Sequence, residues 1–253
     1  MVRAALSVVT ALLVFASASC SDQRPVQFDY FRVTVDGQET LGVTAKDVML
    51  RGIIIFFHGV GDDEFSVTKD DAHKNTTGTL VKAGFAVVAS RAGGDAWGNP
   101  SSQANYLHLA SVAADHYRTE NIFFLAESMG AIAALNLFTR YETQRIRGLI
   151  AINPVLDLTN VAPQYQQAVD SMFPDRSAVS ANPMGLPVAA FSGKKMRFYV
   201  NSEDAALNAA TAEFQRRFGS VADISSVSCD QRDAACFQGG DILRWLSHVE
   251  DGS

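Results

Sequence analysis

Short, almost wholly apolar runs punctuate the chain at 52–57 (GIIIFF), 84–89 (GFAVVA), 122–126 (IFFLA), 146–152 (IRGLIAI) and 196–200 (MRFYV). A strand apolar at nearly every position has both faces buried, as in a parallel sheet covered by helices on each side. A weaker sixth run lies at 222–227. Helices are expected between the runs, at about 73–82, 104–118, 129–141, 205–218 and 238–249. In the second of these, Tyr106, Leu109, Ala110 and Ala113 recur at the three- and four-residue spacing that lays one helix face on a sheet. Upstream the rhythm differs. Residues 27–35 (QFDYFRVTV) roughly alternate apolar and polar, Asp36-Gly37 offers a hairpin turn, and a second edge strand is expected at about 41–50. An antiparallel start followed by βαβ units predicts one doubly wound α/β domain with right-handed crossovers. The exception is 156–195, some forty residues carrying four prolines. An insertion of that length in a compact domain usually has a role, such as a lid or binding surface over the carboxyl edge of the sheet.

The N-terminus follows neither rhythm. Arg3 is the only charged residue before Asp22, and residues 4–16 (AALSVVTALLVFA) are mostly apolar. A charged start and a short apolar stretch match an export signal, and fall short of the ~20 residues of a spanning helix. Ala16-Ser17-Ala18 is a cleavage site of A-x-A type leaving Ser19 first. Alternatively, Ser17-Ala18-Ser19-Cys20 resembles a bacterial lipobox, with Ser17 where an aliphatic residue is usual, and Cys20 would be lipidated. The signal is therefore drawn as 1–19, with an uncleaved anchor as the remaining alternative. Export to the cell envelope or beyond implies an oxidising compartment, where Cys229 and Cys236 would pair across a short loop and leave Cys20 as the unpaired third cysteine.

Composition narrows the function classes. Of 253 residues, 47% are hydrophobic and 19% charged, which excludes wholesale disorder and fibrous classes. A net charge of −6 lacks the basic footprint of a nucleic-acid partner. The five histidines are scattered, without C-x-x-C or H-E-x-x-H spacing, so no metal and no cofactor is expected. The acidic runs Asp62-Asp63-Glu64 and Lys69-Asp70-Asp71 read as solvated loop, or as selection against anionic substrates.

Chemistry concentrates at Ala126-Glu127-Ser128-Met129-Gly130. A buried strand runs into a serine and a helix starts at once, the arrangement of a nucleophile elbow. The turn brings strand and helix so close that residues two before and two after the serine must be small; here they are Ala126 and Gly130. The other reading of Ser128 is a helix cap. Serine acyl chemistry also needs two backbone N–H donors aimed at the developing oxyanion. Met129, at the helix start, supplies one. Val60, in the His58-Gly59-Val60-Gly61 turn after an earlier strand, supplies the other. His58 itself is expected to stabilise that turn. Trp97 is expected to pack, or to line the substrate pocket.

These motifs, with the 93–99 loop (GGDAWGN), resemble the α/β-hydrolase superfamily of serine esterases, lipases and peptidases, over most of 50–246. The resemblance implies an α/β-hydrolase fold over 20–253 and places the acid after a later strand. Asn201-Ser202-Glu203-Asp204 matches that turn, with Asp204 in the acid's place, Glu203 as second choice, and helix capping as the plain alternative. It also implies a histidine between the last strand and the last helix. There the chain departs from the family: Gln231 stands at the expected position, and the other candidate, Gln238, is glutamine too. Glutamine cannot take a proton near neutral pH. The only histidine beyond Ser128 is His248, several turns into the last helix. His73, His108 and His116 are expected to pack or face solvent.

The expected function is an exported serine hydrolase acting on a small-molecule ester or acyl substrate, its general base unidentified, possible membrane attachment being through a lipid on Cys20. The alternative is a hydrolase-fold protein without its base, serving as a binding module; an acyltransferase on the same scaffold is a third.

Overall fold

The computed structural model describes residues 26–140, 146–174, 178–230 and 233–252. The expected signal, Cys20 and Gln231 lie outside the described residues. Nine strands form one sheet: β1 (Phe28–Phe31), β2 (Thr34–Val35), β3 (Gln38–Ala45), β4 (Gly52–Phe57), β5 (Phe85–Ser90), β6 (Ile122–Glu127), β7 (Ile146–Ile152), β8 (Lys195–Asn201) and β9 (Asp223–Cys229). The helices are α1 (Asp71–Lys82), α2 (Pro100–Tyr117), α3 (Gly130–Arg140), α4 (Pro163–Met172), α5 (Ala178–Ala181), α6 (Ala205–Phe218) and α7 (Gly239–Asp251). The sheet order is β1-β3-β5-β4-β6-β7-β8-β9, with β2 also on β3. Neighbours from β5 to β9 are parallel, while β1–β3 and β3–β5 are antiparallel.

The apolar runs behave as their composition dictates. Along β4, Ile53, Ile55 and Phe57 enter the core beneath α2, α3 and α6, whereas Ile54 and Phe56 enter the core beneath α1 and α7. The period-two alternation thus feeds two cores at once. The alternating segment 27–35 is interrupted at Arg32-Val33, yet β1 and β2 pair with β3 in one register, from Phe28↔Ala45 to Val35↔Gln38. Asp36 (φ 50°) and Gly37 (φ 75°) turn the hairpin as expected. The second arm begins and ends earlier than 41–50, because the turn after Val35 starts it at Gln38.

The 156–195 segment is not one body. Leu158, Val169, Phe173 and Ala181 form a satellite core with Trp97, Met129 and Ile132, next to the start of α3. Leu186 and Phe191 belong instead to the main core, where Phe191 packs on Phe214 and Phe218 of α6. No described helix is long and apolar enough to cross a membrane.

Candidate active site

Val60, Trp97, Ser128 and Asp204 each follow a parallel strand, so they gather at the sheet's carboxyl edge, the usual site of ligands in open α/β sheets. Ser128 ends β6 with φ 48°, a left-handed conformation rare for a residue with a side chain. Its N–H donates to Ile152 O and its carbonyl accepts from Val155 N and Ala131 N, so β7's exit and α3 both grip the turn. Gly130 explains the small-residue requirement. A Cβ there would lie 2.4 Å from Phe57 O and 2.8 Å from His58 O. Ala126 is fully buried.

Ser128 and Asp204 line the same cleft, a space of about 330 Å³ bounded also by Trp97, Leu156, Tyr165 and Leu207. Asp204 caps α6, with one oxygen accepting from Leu207 N at 2.9 Å. Glu203 is exposed, and its N–H bonds Asn201 Oδ1. Trp97 packs, as one of its two expected roles has it, buried against Tyr165 with ring centroids 5.4 Å apart, and it also lines the cleft. Val60 packs on the cluster that holds Met129 and Trp97. Neither the Val60 nor the Met129 N–H enters a hydrogen bond among the described residues. Gly61 N donates to Asp95 Oδ1 at 2.7 Å, tying the Val60 turn to the 93–99 loop.

His58 is buried, with Nδ1 at Gly59 O and Nε2 at Arg91 O, both 2.9 Å, which is the turn-stabilising role expected of it. His248 does not belong to this site. Its neighbours Ser247 and Glu250 bond Arg51, just before β4, and Glu250 also bonds Asn121, just before β6. The last turn of α7 therefore lies at the opposite edge of the sheet from Ser128, because the helix runs back antiparallel to β9. Gln238 sits directly before α7, donating to Ala235 O at 3.2 Å. No hydrogen bond to the Ser128 hydroxyl occurs among the described residues. The Cys229–Cys236 disulfide spans this same loop, with Cα atoms 5.2 Å apart.

The acidic runs are not simply solvated. Asp63 caps the turn at Glu64–Thr68, Glu64 is buried, and Asp70 caps α1. His73, expected to pack or face solvent, is buried among polar partners: Asp70 Oδ1 at 2.8 Å from Nδ1, and Glu127 Oε2 at 3.1 Å from Nε2. Burial pushes the Asp70 carboxyl up, but hydrogen bonds from the His73 backbone and ring, with the His73 and Lys69 charges, hold it below its usual range. Residues so far apart carry no common spacing, and the one local signal is the acid beside Ser128. Among the described residues no His, Cys, Asp and Glu cluster is arranged to hold a metal ion.

Solved structures share this architecture. Brefeldin A esterase, a bacterial homologue of human hormone-sensitive lipase, superposes with a TM-score of 0.63 at 17% identity, covering 97% of this chain and 78% of that one. A hormone-sensitive lipase from a metagenome library gives 0.65 at 14% identity, over 88% and 86% of the two chains. A thermostable esterase from Pseudomonas putida gives 0.62 at 14%, over 88% and 81%. The chain has the α/β-hydrolase fold. No protein-family profile and no curated protein matches its sequence. At such identities the likeness concerns the fold alone.

Proposed function

We propose that this protein is an exported serine hydrolase cleaving small-molecule carboxylic esters or related acyl bonds. The observation that carries the reading is the Ser128 turn: a strained, left-handed serine between a buried strand and a helix, opening on the cleft that Asp204 also lines. The esterase and lipase names of the fold neighbours support the choice of ester chemistry. In this reading Ser128 Oγ attacks the acyl carbon and the Val60 and Met129 N–H groups stabilise the oxyanion. The alcohol leaves with a proton, and water then releases the acid from the acyl-serine. Asp204 would orient the base, and the part of 156–195 around α4, with Tyr165 on it, would act as a lid facing the apolar wall of Trp97 and Leu207. Export rests on the 1–19 signal and is supported by the disulfide, which persists in oxidising compartments. Membrane attachment would come from a lipid on Cys20.

A second reading has its own observation. Gln231 and Gln238 cannot serve as base, and the Ser128 hydroxyl has no described partner, as in a hydrolase fold kept as a binding module. Fluorophosphonate labelling of the purified protein, compared with Ser128→Ala, separates the two. Labelling that disappears in Ser128→Ala supports the hydrolase. Equal labelling of both proteins, or none, favours the binding module, since an unactivated serine reacts poorly with such reagents.

A further inference from the structure

A buried imidazole bridges two carboxylates, one of them Glu127, the residue before Ser128. His73 is 4% exposed, with Asp70 Oδ1 at 2.8 Å from Nδ1 and Glu127 Oε2 at 3.1 Å from Nε2. Asp70 Oδ1 also accepts the His73 backbone N–H at 3.0 Å, so that side of the ring is anchored on the cap of α1. The Nε2 contact to Glu127 is the one that leaves the helix and reaches the end of β6.

The Glu127 side chain lies where that hold would be felt. Its Cδ and Cγ are 3.4 and 3.5 Å from the place a Cβ on Gly59 would take, so it packs directly under the turn that carries Val60. Lys69 completes the clasp, bonding Asp62 at 2.5 Å and approaching Glu127 Oε2 at 3.8 Å. The remaining walls around the ring are Phe237, at 4.0 Å between centroids, from the loop before α7, and Phe56, at 6.3 Å, from β4. Neither titrates. The charged groups facing His73 are thus Asp70 on its own helix cap and Glu127 at the end of β6, with Lys69 behind Glu127.

We propose that His73 is a positioning residue for the Ser128 site, its ring holding Glu127 under the Gly59-Val60-Gly61 turn and so fixing the Val60 N–H relative to Ser128. The effect on reactivity rests on the hydrolase reading; the clamp does not. Comparing Glu127→Gln with Glu127→Ala discriminates, because the amide keeps the length of the side chain and a polar group that can bond Nε2.

Two measurements on the purified protein test the proposal. By NMR, the Val60 amide resonance shifts in Glu127→Ala and in His73→Phe, each checked for its fold by circular dichroism, and stays near its natural position in Glu127→Gln. By fluorophosphonate labelling, Glu127→Ala and His73→Phe each slow Ser128 at least about threefold, the double variant is no slower than either, and Glu127→Gln restores most of the natural rate, as expected of two residues acting through one contact. An unmoved Val60 amide in Glu127→Ala and His73→Phe overturns the clamp whatever the labelling shows. Losses that multiply in the double variant, where labelling depends on Ser128, overturn its link to the site. If no labelling depends on Ser128, the hydrolase reading fails and the NMR comparison alone decides the clamp.

Discussion

Ser128 holds its left-handed backbone (φ 48°) at a cost of about 1–3 kcal/mol for a residue with a Cβ. The surrounding hydrogen bonds, from Ser128 N to Ile152 O and from Val155 N to Ser128 O, supply the grip that keeps it there. Removing the side chain relieves the strain, whereas shortening it to alanine does not. Ser128→Gly is expected to be more stable than Ser128→Ala by about 1 kcal/mol, a rise of roughly 2–4 °C in Tm for a domain of this size. Both variants should lose Ser128-dependent labelling. Equal Tm values for the two would mean that the turn stores no strain. Two residues on, the constraint has the opposite sign. Gly130→Ala drives a Cβ into the Phe57 carbonyl at 2.4 Å, between two main-chain elements that cannot both move. A loss of at least about 2 kcal/mol in urea unfolding is expected. This steric logic is why the turn was legible in sequence even with Ala126 in place of the usual glycine. The clamp around His73 was not, because Asp70, His73 and Glu127 come together only when α1 docks beside the end of β6.

At the scale of elements, the start of α7 is docked by a polar cluster. Arg197 on β8 donates to Asp241 Oδ2 through Nε at 2.9 Å and Nη2 at 2.6 Å, Tyr199 OH donates to the same oxygen at 2.7 Å, and Arg244 reaches Oδ1 at 3.0 Å. Asp241 also lies in the first turn of α7, where the helix dipole favours an anion. Burial pushes its carboxyl up, but the Tyr199 and Arg197 hydrogen bonds, the Arg197 charge and Arg244 hold it below the usual range. A depressed carboxyl stabilises the fold above the unfolded value of about 3.9, and that contribution is lost as pH falls through the lower folded value. Asp241→Asn is therefore expected to cost about 1–3 kcal/mol at pH 7, measured by urea unfolding, with the deficit shrinking below about pH 4. A deficit that stays constant down to pH 2 would show that the charge is not what matters. The helices themselves follow from local signals: α2 starts at Pro100 because Asn99 caps it, and α1 starts at Asp71, two residues before the apolar pattern, because Asp70 caps it. Which strand and helix face each other across Arg197 and Asp241 is a tertiary fact that no spacing along the chain expresses.

Across the whole molecule, the site is assembled from the ends of five parallel strands, β4 to β8, and the remaining strand end is where chemistry and covalent bonding meet. Strand β9 ends in Cys229, bonded to Cys236 seven residues on, immediately before Gln238 and α7. Cys236 Sγ contacts Asn153 Oδ1 at 3.6 Å after β7, that same oxygen accepts from Asn201 N at 2.9 Å at the end of β8, and Cys229 O accepts from Ser202 N at 3.0 Å. The disulfide thus ties the exits of β7, β8 and β9 into one frame, with Asp204 on its β8 side. Pairing of these cysteines was legible from their spacing and the export signal expected at 1–19; their place in a frame around the acid turn was not, because it depends on Asn153 and Asn201 from other strands. Closing so short a loop stabilises the chain by about 2–3 kcal/mol on the chain-entropy account. The paired Cys229→Ala/Cys236→Ala variant should lose roughly that amount in urea unfolding. If the frame positions Asp204, the variant should also label more slowly at Ser128 under conditions where it remains fully folded, and reduction of the natural protein should reproduce both effects. A stability loss without slower labelling would assign the disulfide to the fold alone, leaving the orientation of Asp204 to its cap on α6.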